Sequence, residues 1–131
     1  MRICFYSVDD DENKVSFQTE GRRDNGKIIF PDKSVPDTVI FLTVTGDRLV
    51  LERRGRVSML LPLQEGKINT AIYKNEMGLE FSFAAACRKL RIEENRIDIQ
   101  YDMIFEDEVQ SSHKIWIILR LSLIHISEPT R

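Results

Sequence analysis

Apolar and polar residues alternate along most of the chain in a way that predicts short antiparallel strands. The alternation is clearest in residues 38–63, where three apolar runs are separated by two turns that contain glycine. No segment carries a sustained apolar stripe at the spacing of a helix. This stretch therefore predicts a three-stranded meander, and the segments on either side repeat its pattern.

The first turn of the meander predicts its own register. Gly46-Asp47 suits a two-residue hairpin loop with glycine at the first central position. That loop places Val44 opposite Leu49. Two residues further from the turn, Leu42 then faces Leu51, so the apolar residues collect on one face of the sheet.

The second turn is expected to continue that face. A three-residue loop with Gly55 in the left-handed position places Leu51 opposite Val57 and Leu49 opposite Met59. A slip by one residue would turn every side chain to the other face, so the register that collects the apolar residues is favoured. The resulting meander buries Leu49, Leu51, Val57, Met59 and Leu61, and pairs Glu52 with Arg56 on the exposed face.

Further strands are expected on both sides of the meander, with helix confined to a turn or two. Short strands with turn clusters between them are typical of a barrel or a sandwich. Mostly adjacent hairpins favour an antiparallel up-and-down barrel of about eight to ten strands, which also removes exposed sheet edges. The additional strands are expected at residues 2–8, 15–20, 27–30, 67–74, 79–83 (continuing through 84–90 into a bend), 97–105 and 113–120.

Length and composition place the chain among small globular proteins. Its 131 residues correspond to one domain, and 31% charged with 42% hydrophobic residues is an ordinary balance. A formal net charge of −2 provides no general attraction for nucleic acid. No apolar run has the roughly 20 residues of a membrane-spanning helix. Two cysteines and an acidic run close to the first residue favour a cytoplasmic protein without a signal peptide.

Few residues suggest catalytic or metal chemistry. His113 begins a predicted strand without an identifiable nucleophile, which favours a surface histidine over a general base. Cys4 and Cys87 lack the spacing of metal ligands and are interpreted as apolar fillers. The acidic run at residues 9–12 lacks the spaced ligands and glycine of a calcium loop, so a charged hairpin tip is favoured. No catalytic residue, metal site or cofactor is therefore expected.

The ligand-binding candidates are arginines and one tyrosine. Arginine forks match phosphates and carboxylates, so two arginine-bearing turns on one rim would form an anion site, while solvated loop residues are the alternative. Tyr101 lies on the apolar face of its strand, where it lines a cavity or else bonds to backbone within the core. Arg53, Arg54 and Tyr101 are the candidates retained. The arginines of the two turns are Arg22, Arg23, Arg53, Arg54 and Arg56.

Several short motifs point to a known family. They are Thr19-Glu20-Gly21, Arg54-Gly55-Arg56-Val57-Ser58-Met59, Gly66, Tyr73 followed by Gly78-Leu79-Glu80-Phe81, and Arg96-Ile97-Asp98-Ile99-Gln100-Tyr101. With these residues the chain resembles the YwiB-like proteins, a bacterial family of unknown function. The resemblance implies a lipocalin-like, calycin-type barrel. Because the G-x-W signature of lipocalins is absent, it implies neither a ligand nor a catalytic residue.

Two functions from different classes remain open. A small barrel can hold one small molecule in its interior or mouth, whereas a filled barrel would act as a non-enzymatic protein-interaction module. An interior void of several hundred Å³ would favour the ligand. No enzymatic activity is expected, and neither nucleic acid nor a membrane is an expected partner.

The last eleven residues, 121–131, are interpreted as foreign to the natural protein. Leu-Ser-Leu-Ile-His-Ile-Ser-Glu-Pro-Thr-Arg corresponds to the translation of a transposase adapter used in DNA library preparation. Residues 1–120 are therefore expected to form the barrel domain and residues 121–131 a non-native tail, which is set apart from fold and function.

Overall fold

A computed structural model describes residues 1–120 and shows only β-strands and connecting turns there. The tail proposed at residues 121–131 lies outside the described residues. The eleven strands are β1 (Arg2–Asp9), β2 (Lys14–Glu20), β3 (Arg22–Asp24), β4 (Lys27–Pro31), β5 (Thr38–Thr45), β6 (Arg48–Gly55), β7 (Ser58–Gln64), β8 (Ile68–Lys74), β9 (Glu80–Glu93), β10 (Arg96–Phe105) and β11 (Glu108–Arg120).

All eleven strands belong to one antiparallel sheet that curls into a nearly closed barrel. Their order is β2-β1-β11-β10-β9-β8-β7-β6-β5-β4-β3, so each hairpin joins neighbours and β1 pairs with β11. The expected all-β, up-and-down architecture is confirmed. The eleventh strand comes from Arg22–Asp24, because this segment of the expected turn cluster also pairs with β4.

The barrel closes where the chain passes from β2 to β3. Gly21 donates its amide to the carbonyl of Met1 at 2.8 Å and accepts a bond from the Met1 amino group at 3.0 Å. A Cβ on Gly21 would lie 2.8 Å from the Ile29 carbonyl oxygen, which is closer than real Cβ atoms approach backbone. Glycine therefore lets β2 and β4 come together at this seam.

The inner face of the sheet forms a continuous apolar core that fills the middle of the barrel. Alternate residues of each strand point inward, and each large aliphatic or aromatic side chain that is fully buried contributes roughly 1.5–3 kcal/mol. The fully buried large side chains are Phe5, Phe30, Ile3, Ile40, Leu42, Leu49, Leu51, Leu61, Leu63, Ile97, Ile99 and Ile117.

The first turn of the meander has the predicted register and the second does not. Val44 faces Leu49 and Leu42 faces Leu51, as the Gly46-Asp47 loop predicts. Across the second hairpin, however, Leu51 faces Leu61 instead of Val57, and Leu49 faces Leu63 instead of Met59. The register is shifted by an even number of residues, so the same side chains still face the interior. Leu49, Leu51, Val57 and Leu61 are buried, and Met59 is partly buried against the core.

The environment of Gly55 explains the shift. Gly55 has a φ of 147° and is still paired with β5, opposite Thr38, so the chain turns only at the next two residues. A Cβ on Gly55 would lie 2.0 Å from the Asp37 carbonyl oxygen. Pairing with the preceding strand thus delays the reversal of the chain.

The expected pair between Glu52 and Arg56 is wrong for the same reason. Glu52 faces Leu60 across the hairpin and binds Arg54 with an oxygen-to-nitrogen distance of 2.8 Å. Arg56 instead binds the Asp37 carboxylate at 3.0 Å and donates its amide to the Asp37 carbonyl. The late turn therefore ties β6 to the segment before β5.

Strand β9 runs through the alanine-rich segment without a helical turn. Residues 84–90 belong to a single strand that runs from Glu80 to Glu93, so the prediction that the strand continues through them is confirmed. The bend is a β-bulge, since Gln100 pairs with Lys89 while Tyr101 pairs with Cys87, leaving Arg88 as the extra residue. Within residues 1–120 no helix is long and apolar enough to cross a membrane.

Candidate functional site

The filled middle separates two ends of the barrel that differ in chemistry. We call the first the cavity end, where Ile28, Val44, Ile97 and Leu119 face inward. We call the second the arginine end, where Asp32, Arg53, Tyr101 and His113 are brought together. The apolar end and the polar cluster therefore lie at opposite ends of the barrel.

The cavity end contains an open cavity of about 720 Å³. Its inner wall is aliphatic, because the last inward-facing side chains of β4, β5, β10 and β11 meet there. Its rim is charged and carries Arg23, Glu93, Glu94 and Arg120. An apolar wall with a few polar groups at the mouth is the usual composition of a small-molecule site.

Hydrogen bonds from β3 and from β11 hold the turn between β9 and β10 at the mouth of the cavity. Arg23 donates a bond from Nη2 to the Glu94 carbonyl at 3.4 Å, and the Leu119 amide donates to the Asn95 carbonyl at 2.9 Å. Strands β3 and β11 thus both hold the turn, and its position defines one side of the cavity.

At the arginine end, Arg53 follows Leu49 and Leu51 on the inner face of β6. The alternation of the strand directs it inward, and its Nε lies 3.3 Å from Oδ2 of Asp32. The Asp32 side chain is 0% exposed, whereas that of Arg53 is 23% exposed. An arginine therefore enters a mainly apolar interior beside one buried carboxylate.

This ion pair is incompletely hydrogen-bonded. Oδ1 of Asp32 accepts bonds from the amide and the hydroxyl of Ser34, which fix the carboxylate. Oδ2 of Asp32 and Nε of Arg53 are buried, and neither has a hydrogen-bond partner among the described residues. Because an imperfectly bonded buried pair recovers little of its desolvation penalty, stability alone does not account for these two residues.

Tyr101 and His113 form the opposite wall of the arginine end. They are cross-strand partners on β10 and β11, and their rings stack with centroids 4.8 Å apart. Burial raises the pKa of Tyr101 to about 12, and the nearby positive charge of Arg53 opposes part of that rise. The hydroxyl is therefore a neutral group at physiological pH.

His113 contacts a second hydroxyl, that of Ser111. The Ser111 oxygen lies 2.7 Å from Nε2 of His113, and the two residues face inward from the same strand. Burial lowers the pKa of His113, although the charges of Asp9, Asp10 and Asp102 oppose the change. In the Ser–His nucleophiles of hydrolases, a third group orients the imidazole and makes the pair efficient. The Asp9 carboxylate instead accepts bonds from Asp11 and Asn13.

The structure separates the three ligand-binding candidates taken from the sequence. Arg53 and Tyr101 lie on β6 and β10, which have three strands between them in the sheet, and the charge of Arg53 acts on the Tyr101 hydroxyl. Arg54 lies on the outer face, bonded to Glu52 and with its guanidinium carbon 4.3 Å from the centroid of the Phe41 ring. Only two of the three candidates therefore share a site.

The arginines of the two turns do not form one rim. Arg23 lines the cavity end, whereas Arg53 is at the arginine end, so the two are separated by the filled core. Asp32 was not among the sequence candidates. It lies in the irregular segment between two prolines, where nothing in the alternation signals burial.

The two cysteines and the acidic segment are the other residues considered from the sequence. Cys4 and Cys87 are free and buried, and burial raises the pKa of the Cys87 thiol to about 11. The acidic segment forms the hairpin tip between β1 and β2, where hydrogen bonds from Asn13 and Asp11 lower the pKa of Asp9. Across residues 1–120, no three metal-ligating side chains cluster in a way that could hold an ion.

Fold and site together define an all-β barrel with a filled centre, an apolar cavity at one end and a polar cluster at the other. A family model described as "Domain of unknown function (DUF1934)" matches residues 5–117, and the chain belongs to this family. The chain is also similar to a solved structure, described as "Crystal structure of ywiB protein from Bacillus subtilis". The two share 22% sequence identity and a TM-score of 0.69 over 88% of this chain and 87% of that chain. This likeness concerns the fold alone. A search of curated proteins finds no match.

Proposed function

We propose that this protein is a non-enzymatic, lipocalin-like binding protein that holds a small apolar molecule at its cavity end. The observation that carries the proposal is the open cavity of about 720 Å³ with aliphatic walls. Ligand pockets span roughly 300–1,000 Å³ and bury most of a small molecule. The cavity thus has the volume that favours a ligand over a completely filled barrel.

The arrangement of the walls indicates the kind of ligand. Ile28, Val44, Ile97 and Leu119 offer no hydrogen-bonding groups, so the part of the ligand that enters should be hydrocarbon or aromatic. The charged rim would contact only the part that remains near solvent. Burial of apolar ligand surface stabilises such a complex by roughly 25 cal/mol per Å² before the entropic terms are subtracted.

The proposal excludes turnover by this chain. Among residues 1–120, His113 is hydrogen-bonded to Ser111 and to no carboxylate that would orient its ring. Two buried thiols without a disulfide fit a reducing bacterial cytoplasm, which we propose as the location. Neither nucleic acid nor a membrane is part of the proposal.

Titration with N-phenyl-1-naphthylamine, a neutral apolar fluorophore, tests the ligand site. We expect saturable binding of one dye per chain with enhanced dye fluorescence. The variant Val44→Phe places an aromatic ring in the cavity and should weaken binding by about tenfold or more, equivalent to about 1.4 kcal/mol. Thr43→Phe is the matched control, because Thr43 precedes Val44 on β5 and faces outward. Equal affinity in the two folded variants, or no saturable binding to the unaltered chain, would refute the proposal.

An exposed apolar patch near the β8–β9 hairpin favours the second candidate function, a protein-interaction module. Phe81 and Phe105 are 40% and 39% exposed, and their rings meet edge to face with centroids 6.4 Å apart. Leu79 beside them is 64% exposed. Exposed aromatic clusters mark interaction surfaces. A chain that folds normally but shows no saturable dye binding would favour this function instead.

A further inference from the structure

The ion pair at the arginine end contains buried polar atoms without hydrogen-bond partners. Within residues 1–120, these atoms are Nε of Arg53 and Oδ2 of Asp32. Buried polar groups are nearly always paired in native proteins, and an exception suggests an ion or ligand that completes the site. This observation is independent of the cavity, which is at the other end.

The geometry of Asp32 leaves a donor of the guanidinium available. Oδ2 of Asp32 lies 3.3 Å from Nε of Arg53, while Ser34 holds the other carboxylate oxygen. Nε of Arg53 makes no hydrogen bond to Asp32 or to another of the described residues. Because the Arg53 side chain is 23% exposed, part of it is accessible from the mouth.

We propose that the arginine end binds a small oxyanion, a carboxylate or a phosphate, through the guanidinium of Arg53 and the hydroxyl of Tyr101. The planar fork of arginine offers two parallel donors that match two oxygens of such a group. Asp32 is a positioning residue, because it contacts Arg53 and has no access to the mouth. Its negative charge also limits affinity, so an oxyanion that accepts several hydrogen bonds should be preferred over chloride.

The state of Tyr101 supports this assignment. Since burial raises its pKa to about 12, the phenol keeps its proton and can donate it to an anion. The ring of His113 stacks on that of Tyr101 with centroids 4.8 Å apart. The two rings therefore pack together on the same wall of the arginine end.

Thermal unfolding and isothermal titration of the full chain with sodium phosphate and, separately, sodium acetate test the site. Sodium chloride at equal ionic strength is the reference. An oxyanion present at about 100 times its Kd should raise the Tm by roughly 10 °C relative to chloride. A response to phosphate, to acetate or to both supports the proposal and identifies the preferred group. A response to neither overturns it.

Three variants assign the binding to these residues. Arg53→Gln and Tyr101→Phe should each raise the Kd by about ten- to a hundredfold, as expected for the loss of hydrogen bonds to a charged group. Arg54→Gln is the matched control, since Arg54 is the next residue on the outer face, and its Kd should equal that of the unaltered chain. Arg53→Gln leaves Asp32 unpaired, so the Asp32→Asn, Arg53→Gln double variant is measured beside it. An unchanged Kd in Tyr101→Phe and in either Arg53 variant would overturn the proposal.

Discussion

Replacing Gly55 by alanine should destabilise the barrel much more than replacing Gly46 by alanine. Both glycines have positive φ angles, 147° and 62°. A Cβ at position 46 meets nothing within 4 Å, whereas a Cβ at position 55 would lie 2.0 Å from the Asp37 carbonyl oxygen and 2.7 Å from the Thr38 Cα. Both variants therefore place a Cβ on a backbone with positive φ, and only Gly55→Ala adds a collision with backbone.

The structure allows the difference to be estimated. Alanine in the left-handed region costs about 1–2 kcal/mol, which is the whole effect expected at Gly46. At Gly55 the segment before β5 must also move, which weakens the hydrogen bond between the Arg56 amide and the Asp37 carbonyl. Overpacking of this kind costs typically about 1–3 kcal/mol more. We therefore expect a total of about 2–5 kcal/mol for Gly55→Ala.

Urea unfolding, followed by the fluorescence of the only tryptophan, Trp116, and by circular dichroism, measures both variants. The midpoint should fall further for Gly55→Ala, with the slope of the transition unchanged if the unfolding remains two-state. Since Asp32 bonds Thr38 through its amide at 2.9 Å, the same variant should also weaken the oxyanion site. Equal midpoints for the two variants would refute the close contact at Gly55.

Three further outcomes follow from the core and the titratable groups. Leu51→Ala should cost about 2–5 kcal/mol in urea unfolding and Leu60→Ala less than about 1 kcal/mol, because Leu51 is 0% and Leu60 39% exposed; similar values would contradict the assigned faces. Burial lowers the pKa of His113 from its ordinary 6.5. As the pH falls below 6.5, this histidine is therefore protonated in the unfolded chain before it is protonated in the folded chain, and the free energy of unfolding should decrease. The Tm should therefore fall less between pH 7.5 and about 5.5 in His113→Gln than in the unaltered chain, and identical decreases would refute this linkage. The thiols of Cys4 and Cys87 should react with Ellman's reagent only after unfolding, since both are buried, and rapid reaction of the native protein would contradict that burial.

The alternation of side chains was sufficient to predict ten of the eleven strands, the inner face and the antiparallel barrel. This information is local, because the residues on one face of a strand recur at every second position. The loop at Gly46-Asp47 could likewise be predicted, since a two-residue hairpin is determined by its own sequence. Even the error at the second turn preserved the inner face, because the register moved by an even number of residues.

Only the tertiary structure determined the second turn and the composition of the site. Gly55 extends its pairing with β5 because the chain at Asp37 lies against it, a contact between residues 18 positions apart (55 − 37) that no local pattern contains. Arg53 could be placed in a strand only once that turn was known, and its partner Asp32 comes from an irregular segment. Tyr101 reaches the same place from β10, which is separated from β6 by three strands of the sheet. The site depends on how the sheet curls, and the curl is a property of all the strand pairs together.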